Sequence, residues 1–440
     1  MGKYFGTDGM RGEAGVFLCA HHAFKIGRFL GGEAPDGRVV IGKDTRHSSG
    51  MLESALVAGI LSSGASAYLL DVCPTACVSY ITNKEGFDFG IMISASHNPY
   101  FDNGIKILNS SGEKISDELT ERIEEFLDAN DDGKNAKGEK IGKAHPYPQG
   151  VNTYKEYLKQ TSQAPLFGLR IGLDLSNGSA TDVAPEVFSS LGATVYKMSH
   201  EPNGININEG CGSTSPAALC AFVKENSLDC GFAYDGDSDR CIAVTEEGEV
   251  FDGDKIMYAL AKSLKEKGEL EENVLVTTVM SNVGLKKSLS PLGIRVKETK
   301  VGDRFVFEEM KSSGYSLGGE QSGHVIISKY ASTGDGILTS IKLAELLAIC
   351  AMPFSSLDAG LTLYPQVQKN IKVINKEGIM ISDKLNAAIK DAESTLDGRI
   401  LVRASGTEPK IRVLVEGRDK GECKRIAKRL ESIILSEDKA

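Results

Sequence analysis

The sequence FGIMISASHNP, residues 89–99, joins a short apolar segment to a loop of small polar residues. Its first five residues are typical of a buried β-strand, and the Asn-Pro pair at its end marks a turn. A strand that ends in this way places hydroxyl groups at the edge of a sheet, where open α/β sheets carry their chemistry. Ser94 and Ser96 are therefore both candidates for a reactive hydroxyl. Other groups must activate it, because a free serine hydroxyl is a poor nucleophile.

The same order of parts occurs three times along the chain. Each repeat begins with an apolar strand, continues through a helix-like segment to a second strand led by glycine, and closes with a third strand that ends in a polar loop. The first strands lie at 39–42, 171–174 and 274–277, the glycines are Gly64, Gly192 and Gly293, and the polar endings lie at 93–97, 234–240 and 317–324. Alternating strands and helices predict three doubly wound α/β domains of similar topology, whose polar loops share one cleft.

Changes of composition suggest where these domains end. Residues 128–150 are rich in Asp, Gly, Lys and Pro, which is typical of a loop or linker. After about residue 365 the pattern becomes strand, helix, strand pair and terminal helix, which predicts a smaller C-terminal α+β domain. The predicted domains cover residues 1–150, 151–252, 253–365 and 366–440.

Composition narrows the class of protein. A chain of 440 residues is too long for a single core and suggests several domains, and its net charge of −10 argues against a nucleic-acid partner. No apolar run is long enough for a membrane span, and the chain opens without the pattern of a secretory leader. The nine scattered cysteines indicate buried thiols in a reducing compartment. We therefore expect a cytoplasmic protein, in which an anionic small substrate would need a local basic pocket.

Asp235, Asp237 and Asp239 occupy alternate positions of the second polar loop. In an extended segment their carboxylates share one side and repel one another unless a cation joins them. Oxygen ligands favour a hard ion, so the spacing predicts Mg²⁺ before Ca²⁺ or Mn²⁺. A calcium loop of the EF-hand type is disfavoured because Arg240 stands where that loop requires glycine. A solvated acidic turn is the remaining alternative.

The third polar loop, GGEQSGH at residues 318–324, places a carboxylate, a hydroxyl and an imidazole among glycines. Glycine lets the backbone approach a ligand closely, and Glu320 and Ser322 alternate toward one side. Such a set suits the hydroxyls of a sugar, although an ordinary glycine-rich turn has the same composition.

A basic segment, RASGTEPKIR at residues 403–412, lies between two predicted strands. Arginine binds phosphate in bidentate fashion, and hydroxyls with turn amides complete an anion site. The alternative is a solvated basic hairpin. Because the chain has neither a Walker A sequence nor a G-x-G-x-x-G fingerprint, a nucleotide phosphate is not the obvious ligand.

Two further basic residues are ambiguous when taken alone. Lys106 follows residues 94–99, the serine loop, within the first repeat. A lysine near a metal or in a dry cleft can lose its proton and serve as a base. Most lysines are plain solvated charges, however. Arg11, in the opening segment FGTDGMRG, has no role that the sequence alone assigns.

Together the loops resemble those of the α-D-phosphohexomutase family. In the order of that family they are a phosphoserine loop (94–99), a metal loop (235–240), a sugar loop (319–324) and a phosphate loop (403–412). The resemblance spans the whole chain, and four motifs in order are much more specific than one. The opening segment GKYFGTDG and Gln321 of the sugar loop resemble the branch that acts on glucosamine phosphates.

This resemblance implies four domains around a central cleft, and it favours Ser96 over Ser94 as the residue that carries phosphate. The implied metal site binds Mg²⁺ through Ser96, Asp235, Asp237 and Asp239. The implied catalytic residues are Ser96, Lys106, His324, Arg11, His97 and Arg240. The implied substrate-binding residues are Glu320, Ser322, Arg403, Ser405, Gly406, Thr407 and Arg412.

The resemblance also implies an activity, the interconversion of glucosamine 6-phosphate and glucosamine 1-phosphate. Phosphorylated Ser96 would donate to the free sugar hydroxyl, and the resulting sugar bisphosphate would turn over and return its other phosphate to Ser96. The same bisphosphate would act as an activator. The product would supply UDP-N-acetylglucosamine synthesis, and the resemblance suggests a homodimer.

Three other functions stay open on the sequence. A phosphomannomutase or phosphoglucomutase performs the same chemistry on another sugar, and the contact to the sugar 2-position is not identifiable. A metal-dependent phosphomonoesterase would share the serine and the acidic site but would need water and no distal phosphate clamp. A catalytically inactive sugar-phosphate-binding protein is disfavoured by the intact serine, aspartates and Arg403.

Overall fold

The computed structural model describes residues 2–6, 8–130, 133–405 and 409–438. The chain divides into two compact units, which are described separately. The first unit spans residues 1–280 and 296–359, and the second spans residues 281–295 and 360–440.

Three sheets of the first unit repeat one topology. In each, the first strand of the repeat lies between the second and third strands and runs parallel to the third, and a fourth strand returns antiparallel beside the third. The spatial order is therefore second, first, third, fourth in all three sheets. This arrangement confirms the three α/β domains of similar topology that the sequence repeat predicted.

The first sheet belongs to the N-terminal domain. Its strands are β1 (Phe5–Gly6), β2 (Gly9–Glu13), β3 (Arg38–Lys43), β4 (Ser66–Val72), β5 (Phe89–Ile93), β6 (Asp102–Leu108) and β7 (Ala144–Pro146). They follow the order β1-β2-β6-β5-β3-β4-β7. The helices of this domain are α1 (Ala20–Glu33), α2 (Ser49–Ser63), α3 (Thr75–Lys84) and α4 (Asp117–Asp128). The serine loop joins β5 to its antiparallel neighbour β6.

The other two sheets of the first unit are smaller. The second contains β8 (Arg170–Asp174), β9 (Thr194–Met198), β10 (Cys230–Tyr234), β11 (Cys241–Thr245) and β12 (Val250–Phe251), with helices α5 (Pro148–Thr161), α6 (Ala184–Ser190) and α7 (Ala217–Glu225). The third contains β13 (Val274–Thr278), β14 (Arg295–Thr299), β15 (Leu317–Gly319) and β16 (Val325–Ile327), with α8 (Gly253–Glu266), α10 (Asp303–Ser313) and α11 (Gly336–Cys350). The metal loop joins β10 to β11, and the sugar loop joins β15 to β16.

Local chemistry sets where the helices begin and end. Side chains accept hydrogen bonds from the first turns of α4, α8 and α11, at Ser116, Asp252 and Asp335. Such caps satisfy amides that have no partner within the helix. The glycine before each second strand has a positive φ, which glycine adopts at little cost. Among the described residues, no helix combines the length and apolar character that a membrane span requires.

The second unit is an α+β structure on a three-stranded antiparallel sheet. Its strands are β17 (Gln366–Lys372), β18 (Gly398–Ala404) and β19 (Lys410–Gly417), in the order β17-β19-β18. Its helices are α9 (Val283–Leu289), α12 (Lys376–Met380), α13 (Asp383–Thr395) and α14 (Lys420–Glu437). Buried Ile411, Val413 and Leu430 belong to its core. This unit confirms the smaller α+β fold that the sequence predicted near the C-terminus.

Helices α1 and α2 pack closely because each has glycine at the contact. A Cβ atom at Gly27 would lie 2.3 Å from the carbonyl oxygen of Leu56, and one at Gly59 would lie 2.2 Å from that of Phe24. Both contacts are with backbone atoms, so an added side chain would have to displace a helix. Since α2 follows β3 after a short loop, this packing also fixes residues 44–48, which lie beside the serine loop.

We predict that Gly27→Ala lowers the free energy of unfolding by about 1–3 kcal/mol, because the new methyl group overpacks the contact between the two helices. Gly32→Ala in the same helix is the control, since a Cβ atom there meets nothing within 4 Å. That substitution should leave stability unchanged or raise it by up to about 1 kcal/mol. Urea unfolding followed by circular dichroism measures both. Equal effects of the two variants would contradict the packing argument.

Candidate active site

The hydroxyl of Ser96 faces a carboxylate that comes from the second sheet. Its Oγ donates to Asp235 Oδ2 at 2.5 Å, and Nδ1 of His97 lies 3.4 Å from the same hydroxyl. Ser96 is buried and has a φ of +52°, in the left-handed region that residues with side chains seldom adopt. The loop therefore holds this serine in an unusual conformation that aims it at the metal loop.

Ser94 has different partners. Its Oγ donates to Asp44 Oδ2 at 2.6 Å and accepts from the amide of Ser96 at 2.9 Å. The hydroxyl thus bridges two parts of the first domain. Of the two serines that spacing left open, Ser94 braces the loop and Ser96 presents its hydroxyl to the acidic residues.

The three aspartates of the metal loop converge. One carboxylate oxygen from each of Asp235, Asp237 and Asp239 lies within 4.8 Å of the others, and all three residues are buried. Among the described residues, Oδ1 of Asp237 and Oδ1 of Asp239 have no hydrogen-bond partner. Buried carboxylate oxygens are costly without a partner, and a cation would satisfy them. The cluster therefore fits a hard divalent cation, with the Ser96 hydroxyl as a neighbouring oxygen.

The three carboxylates are not electrostatically equivalent. Burial, together with the negative charges of Asp239 and Asp237, raises the pKa of Asp235 well above its usual value. Burial also disfavours the charged form of Asp239, but the positive charges of Lys106 and, to a smaller extent, Arg240 help to hold the pKa of Asp239 below its usual value. Asp235 thus needs added positive charge more than Asp239 does.

Lys106, in β6, places its ammonium among these carboxylates. Its Nζ lies 2.7 Å from Asp237 Oδ2, 3.2 Å from Asp239 Oδ2 and 3.2 Å from Asp8 Oδ2. Burial lowers the pKa of Lys106, but the three carboxylates outweigh burial and raise the pKa well above its usual value. In this arrangement the side chain is a cation that donates hydrogen bonds, and its role as a base stays a prediction.

Three charged residues that the sequence did not single out extend this cluster. Nζ of Lys114 lies 2.8 Å from Asp8 Oδ1 and 2.6 Å from Asp303 Oδ2. The guanidinium of Arg11 donates to Asp8 Oδ2 at 2.6 Å. Asp8 lies in the opening segment that carried part of the resemblance, so it could have been considered. Lys114 and Asp303 lie outside the polar loops, and only the fold brings them together.

His324 is buried at the end of the sugar loop. Its Nε2 accepts from the amide of Gly334 at 3.2 Å and lies 3.6 Å from Asp303 Oδ2. An accepting Nε2 places the ring proton of a neutral imidazole on Nδ1. Among the described residues Nδ1 has no hydrogen-bond partner. Nδ1 is therefore the atom of His324 that remains for a substrate.

Glu320 and Ser322 of the sugar loop differ in their surroundings. Glu320 Oε1 accepts from the amide of Gly302 at 3.2 Å, and burial raises the pKa of Glu320. The Ser322 hydroxyl is buried and has no partner within the described part of the chain. Both residues therefore retain hydrogen-bonding capacity for a ligand such as a sugar.

Arg240 and His97 border the carboxylates. The backbone amide of Arg240 donates to Asp235 Oδ1 at 3.2 Å, and the side-chain Nε of Arg240 lies 3.8 Å from Asp239 Oδ1. Burial, with the positive charges of Arg240 and Arg11, lowers the pKa of His97 to about 4. The imidazole of His97 is therefore neutral at pH 7, while the two arginines supply the positive charge on this side.

Thr75, the first residue of α3, connects the first domain to the metal loop. Its Oγ1 donates to Asp237 Oδ2 at 2.6 Å, and its amide donates to the carbonyl oxygen of Asp237 at 3.0 Å. A threonine at the start of a helix is common, so nothing in the sequence marked it. The two bonds fix both the backbone and the side chain of a candidate metal ligand.

Two cavities that both have Lys114 in their lining adjoin the cluster. One of about 310 Å³ is lined by Lys114, Asp303 and His324, with apolar residues such as Ile326. Another of about 570 Å³ is lined by Asp8, Lys106 and Lys114. Charged groups of both signs line these cavities, which suits a small polar ligand that carries phosphate.

The predicted phosphate loop lies in the second unit. Arg403 in β18 pairs across the sheet with Arg412 in β19, and the amide of Ser405 donates to the carbonyl oxygen of Lys410 at 2.8 Å. Burial and the positive charge of Arg412 lower the pKa of Arg403. The two adjacent guanidinium groups repel each other, and a bound anion would offset this repulsion. Gly406 and Thr407 lie outside the described residues.

Domain families match consecutive parts of this chain. They are the alpha/beta/alpha domains I, II and III and the C-terminal domain of phosphoglucomutase/phosphomannomutase, matched at residues 2–134, 146–248, 252–364 and 369–433. The chain belongs to this family. The membership confirms the resemblance to α-D-phosphohexomutases that the four loops suggested.

Curated relatives of this phosphohexomutase cover nearly its whole length. A phosphoglucosamine mutase of Lachnospira eligens is 49% identical, with 99% of each chain covered. One of Lachnoclostridium phytofermentans is 50% identical over 97% of each chain, and one of Bacillus subtilis is 46% identical over 99% of each.

Solved structures share the fold of this phosphohexomutase. A phosphoglucomutase/phosphomannomutase family protein of Burkholderia thailandensis matches with a TM-score of 0.82 at 24% identity, covering 99% of this chain and 98% of its own. The N-acetylphosphoglucosamine mutase of Aspergillus fumigatus, solved in complex with GlcNAc-6P and magnesium, matches with a TM-score of 0.71 at 15% identity, covering 99% and 96%. At these identities the likeness concerns the fold alone.

We predict that Asp239→Asn weakens Mg²⁺ binding at least about tenfold, a loss of about 1.4 kcal/mol, because a carboxylate charge disappears from the cluster. Asp252→Asn is the control, since asparagine can still cap α8 and the three aspartates of the metal loop are unchanged. Isothermal titration with Mg²⁺ measures both affinities. Equal affinities in the two variants would contradict the assignment of the aspartates as ligands.

Proposed function

We propose that this phosphohexomutase interconverts glucosamine 6-phosphate and glucosamine 1-phosphate, with Ser96 as the phosphate carrier. The observation that carries the proposal is the Ser96 hydroxyl, which lies 2.5 Å from Asp235 at the edge of a buried acidic cluster. The similarity to phosphoglucosamine mutases over 99% of the chain supports the choice of sugar.

The proposed reaction transfers phosphate twice. In the first transfer the free hydroxyl of the sugar attacks phosphorus on phosphorylated Ser96, and the bond from phosphorus to the serine oxygen breaks. The hydroxyl proton passes to a base, and the departing serine oxygen takes up a proton. The resulting sugar bisphosphate then presents its other phosphate to Ser96. The serine hydroxyl attacks this phosphorus and gives its proton to a base, and the bond from phosphorus to the sugar oxygen breaks. The sugar oxygen takes up a proton, and phosphoserine is restored. Added sugar bisphosphate would therefore also act as the activator that first phosphorylates Ser96.

Asp235, Asp237 and Asp239 would hold Mg²⁺, with the serine oxygen beside them. The bound cation would offset the charge of the transferring phosphoryl group and lower the pKa of the neighbouring Lys106. Thr75 keeps Asp237 in place through its two hydrogen bonds. The left-handed backbone of Ser96 keeps the serine oxygen directed at the same cluster.

Lys106 and His324 are the proposed proton-transfer residues. Lys106 reaches the acidic cluster from β6, and His324 offers an Nδ1 that the described residues leave without a partner. Arg11 and Arg240 would stabilise negative charge during transfer. His97 is neutral at pH 7, and its Nδ1, 3.4 Å from the Ser96 Oγ, would donate a hydrogen bond to the serine oxygen, whose own proton is directed at Asp235.

The remaining predicted residues would bind the substrate. Glu320 and Ser322 would accept and donate hydrogen bonds to the sugar hydroxyls in either orientation. The phosphate that does not react would be anchored by Arg403, Ser405, Gly406, Thr407 and Arg412. A distal clamp suits a mutase, because each phosphate must occupy both positions and remote binding energy can then favour the transition state.

Other parts of the proposal concern the setting of the enzyme. We propose a cytoplasmic location, which the nine free cysteines support, and a homodimer, which rests on the family resemblance. The substrate is a hexosamine phosphate, and the product would supply UDP-N-acetylglucosamine synthesis.

We predict that the purified enzyme converts glucosamine 6-phosphate faster than glucose or mannose phosphates, and that the reaction depends on Mg²⁺ and catalytic sugar bisphosphate. A coupled assay of the product measures the rates on each sugar. Faster turnover of glucose or mannose phosphates would replace the proposed substrate with that of a phosphoglucomutase or phosphomannomutase. Inorganic phosphate as the main product would instead indicate a phosphomonoesterase.

We predict that Ser96→Ala lowers kcat at least about a hundredfold, because the variant lacks the hydroxyl that is proposed to carry the phosphate between the two transfers. Ser54→Ala, an exposed serine of α2, is the control and should keep full activity. The same coupled assay measures both variants. Near-normal turnover by the Ser96 variant would exclude a covalent route through this residue.

A further inference from the structure

Arg46 lies beneath the serine loop in the interior of the first domain. Its side chain and that of Asp44 are fully buried, and its Nε donates to Asp44 Oδ2 at 2.8 Å. The carboxylate compensates the buried positive charge, which would otherwise be strongly unfavourable. Neither residue belongs to the loops that suggested the activity.

The rest of the guanidinium binds the serine loop itself. Both terminal nitrogens donate to backbone carbonyl groups. Nη1 donates to the carbonyl oxygen of Pro99 and, at 3.0 Å, to that of Asp102. Nη2 donates to the carbonyl oxygens of Ser96 at 2.7 Å and Asn98 at 2.9 Å. All five N–H groups of the side chain therefore donate hydrogen bonds, four of them to carbonyl groups within residues 96–102.

These contacts surround the strained residue. A serine at a φ of +52° is disfavoured and persists where its surroundings over-determine it. The Arg46 contact fixes the carbonyl of Ser96, and the Ser94 hydroxyl fixes its amide. Asn208, from the second domain, donates to the same carbonyl at 2.9 Å. The peptide groups on both sides of Cα are therefore held, which sets the direction of the side chain.

We propose that Arg46 is a positioning residue for phosphoryl transfer: its fork of five donors locks the serine loop so that the Ser96 oxygen faces the acidic cluster. The inference rests on the proposed function of Ser96. Arg46 acts through the loop and does not touch the reacting atoms. A lysine would keep the positive charge. All three of its N–H donors are on a single nitrogen atom, however, so it cannot reach the four carbonyl groups that the two terminal nitrogens of Arg46 bind.

The test compares Arg46→Ala and Arg46→Lys with Arg28→Ala. Arg28 is the matched control, because it is also a buried arginine of the first domain that donates to a backbone carbonyl, at Ser62, far from the serine loop in the chain. The readouts are kcat and KM for glucosamine 6-phosphate, hydrogen–deuterium exchange of the peptide covering residues 94–101, and rescue of Arg46→Ala by free guanidinium.

Both Arg46 variants should lose kcat at least about a hundredfold with KM changed less than about threefold, because orientation and not binding is lost. Hydrogen–deuterium exchange should become faster in residues 94–101 and not throughout the domain. Free guanidinium should restore part of the kcat of Arg46→Ala. The Arg28 variant should keep kcat within about threefold of the wild type. If Arg46→Ala does not fold, Arg46→Lys carries the same comparison.

Two results would overturn the inference. One is a kcat for the Arg46 variants equal to that of Arg28→Ala. The other is exchange raised equally across the whole domain with no rescue by guanidinium, which would assign Arg46 to stability alone. Failure of the proposed function looks different: the wild type would lack mutase activity, while the exchange comparison would still report whether Arg46 holds the loop.

Discussion

The hydrogen bond between Ser96 and Asp235 joins the polar loops of two different sheets, and the surrounding structure serves to keep its two ends in place. On one side, Arg46 and Ser94 hold the serine in a left-handed conformation that it would not adopt alone. On the other side, Thr75 ties the metal loop to the first domain. The repeated topology makes this possible, because each third strand delivers its polar loop just before an antiparallel return strand.

Charge balance is the second constraint on the site. Asp8, Asp235, Asp237, Asp239 and Asp303 bring five carboxylates close together, and Lys106, Lys114 and Arg11 lie between them. Buried charges are tolerated only where opposite charges compensate them. Within the described part of the chain, Oδ1 of Asp237 and Oδ1 of Asp239 still lack a hydrogen-bond partner, and Asp235 has a raised pKa. The cluster is therefore arranged to receive one more centre of positive charge.

The sequence predicted the three repeats and the C-terminal α+β fold because strand and helix periodicity and glycine-led strands are local signals. It also predicted that Ser96 and the three aspartates belong to polar loops that meet. It did not predict Arg46, Thr75, Lys114 or Asp303. Their contacts join positions that are far apart in the chain, and an arginine or a threonine near a helix start carries no signal of its own. Spacing likewise did not separate Ser94 from Ser96, because their difference lies in which carboxylate each hydroxyl meets.

The central claim, that Ser96 carries phosphate between two positions of one sugar, has a direct test. Enzyme labelled with ³²P on Ser96 is mixed with excess unlabelled glucosamine 6-phosphate, and the products are separated after a single turnover and after many. We expect the label to leave the protein at the rate of turnover and to appear first in sugar bisphosphate and then in hexosamine phosphate. Label that remains on the protein during turnover, or that is released as inorganic phosphate, would contradict the claim.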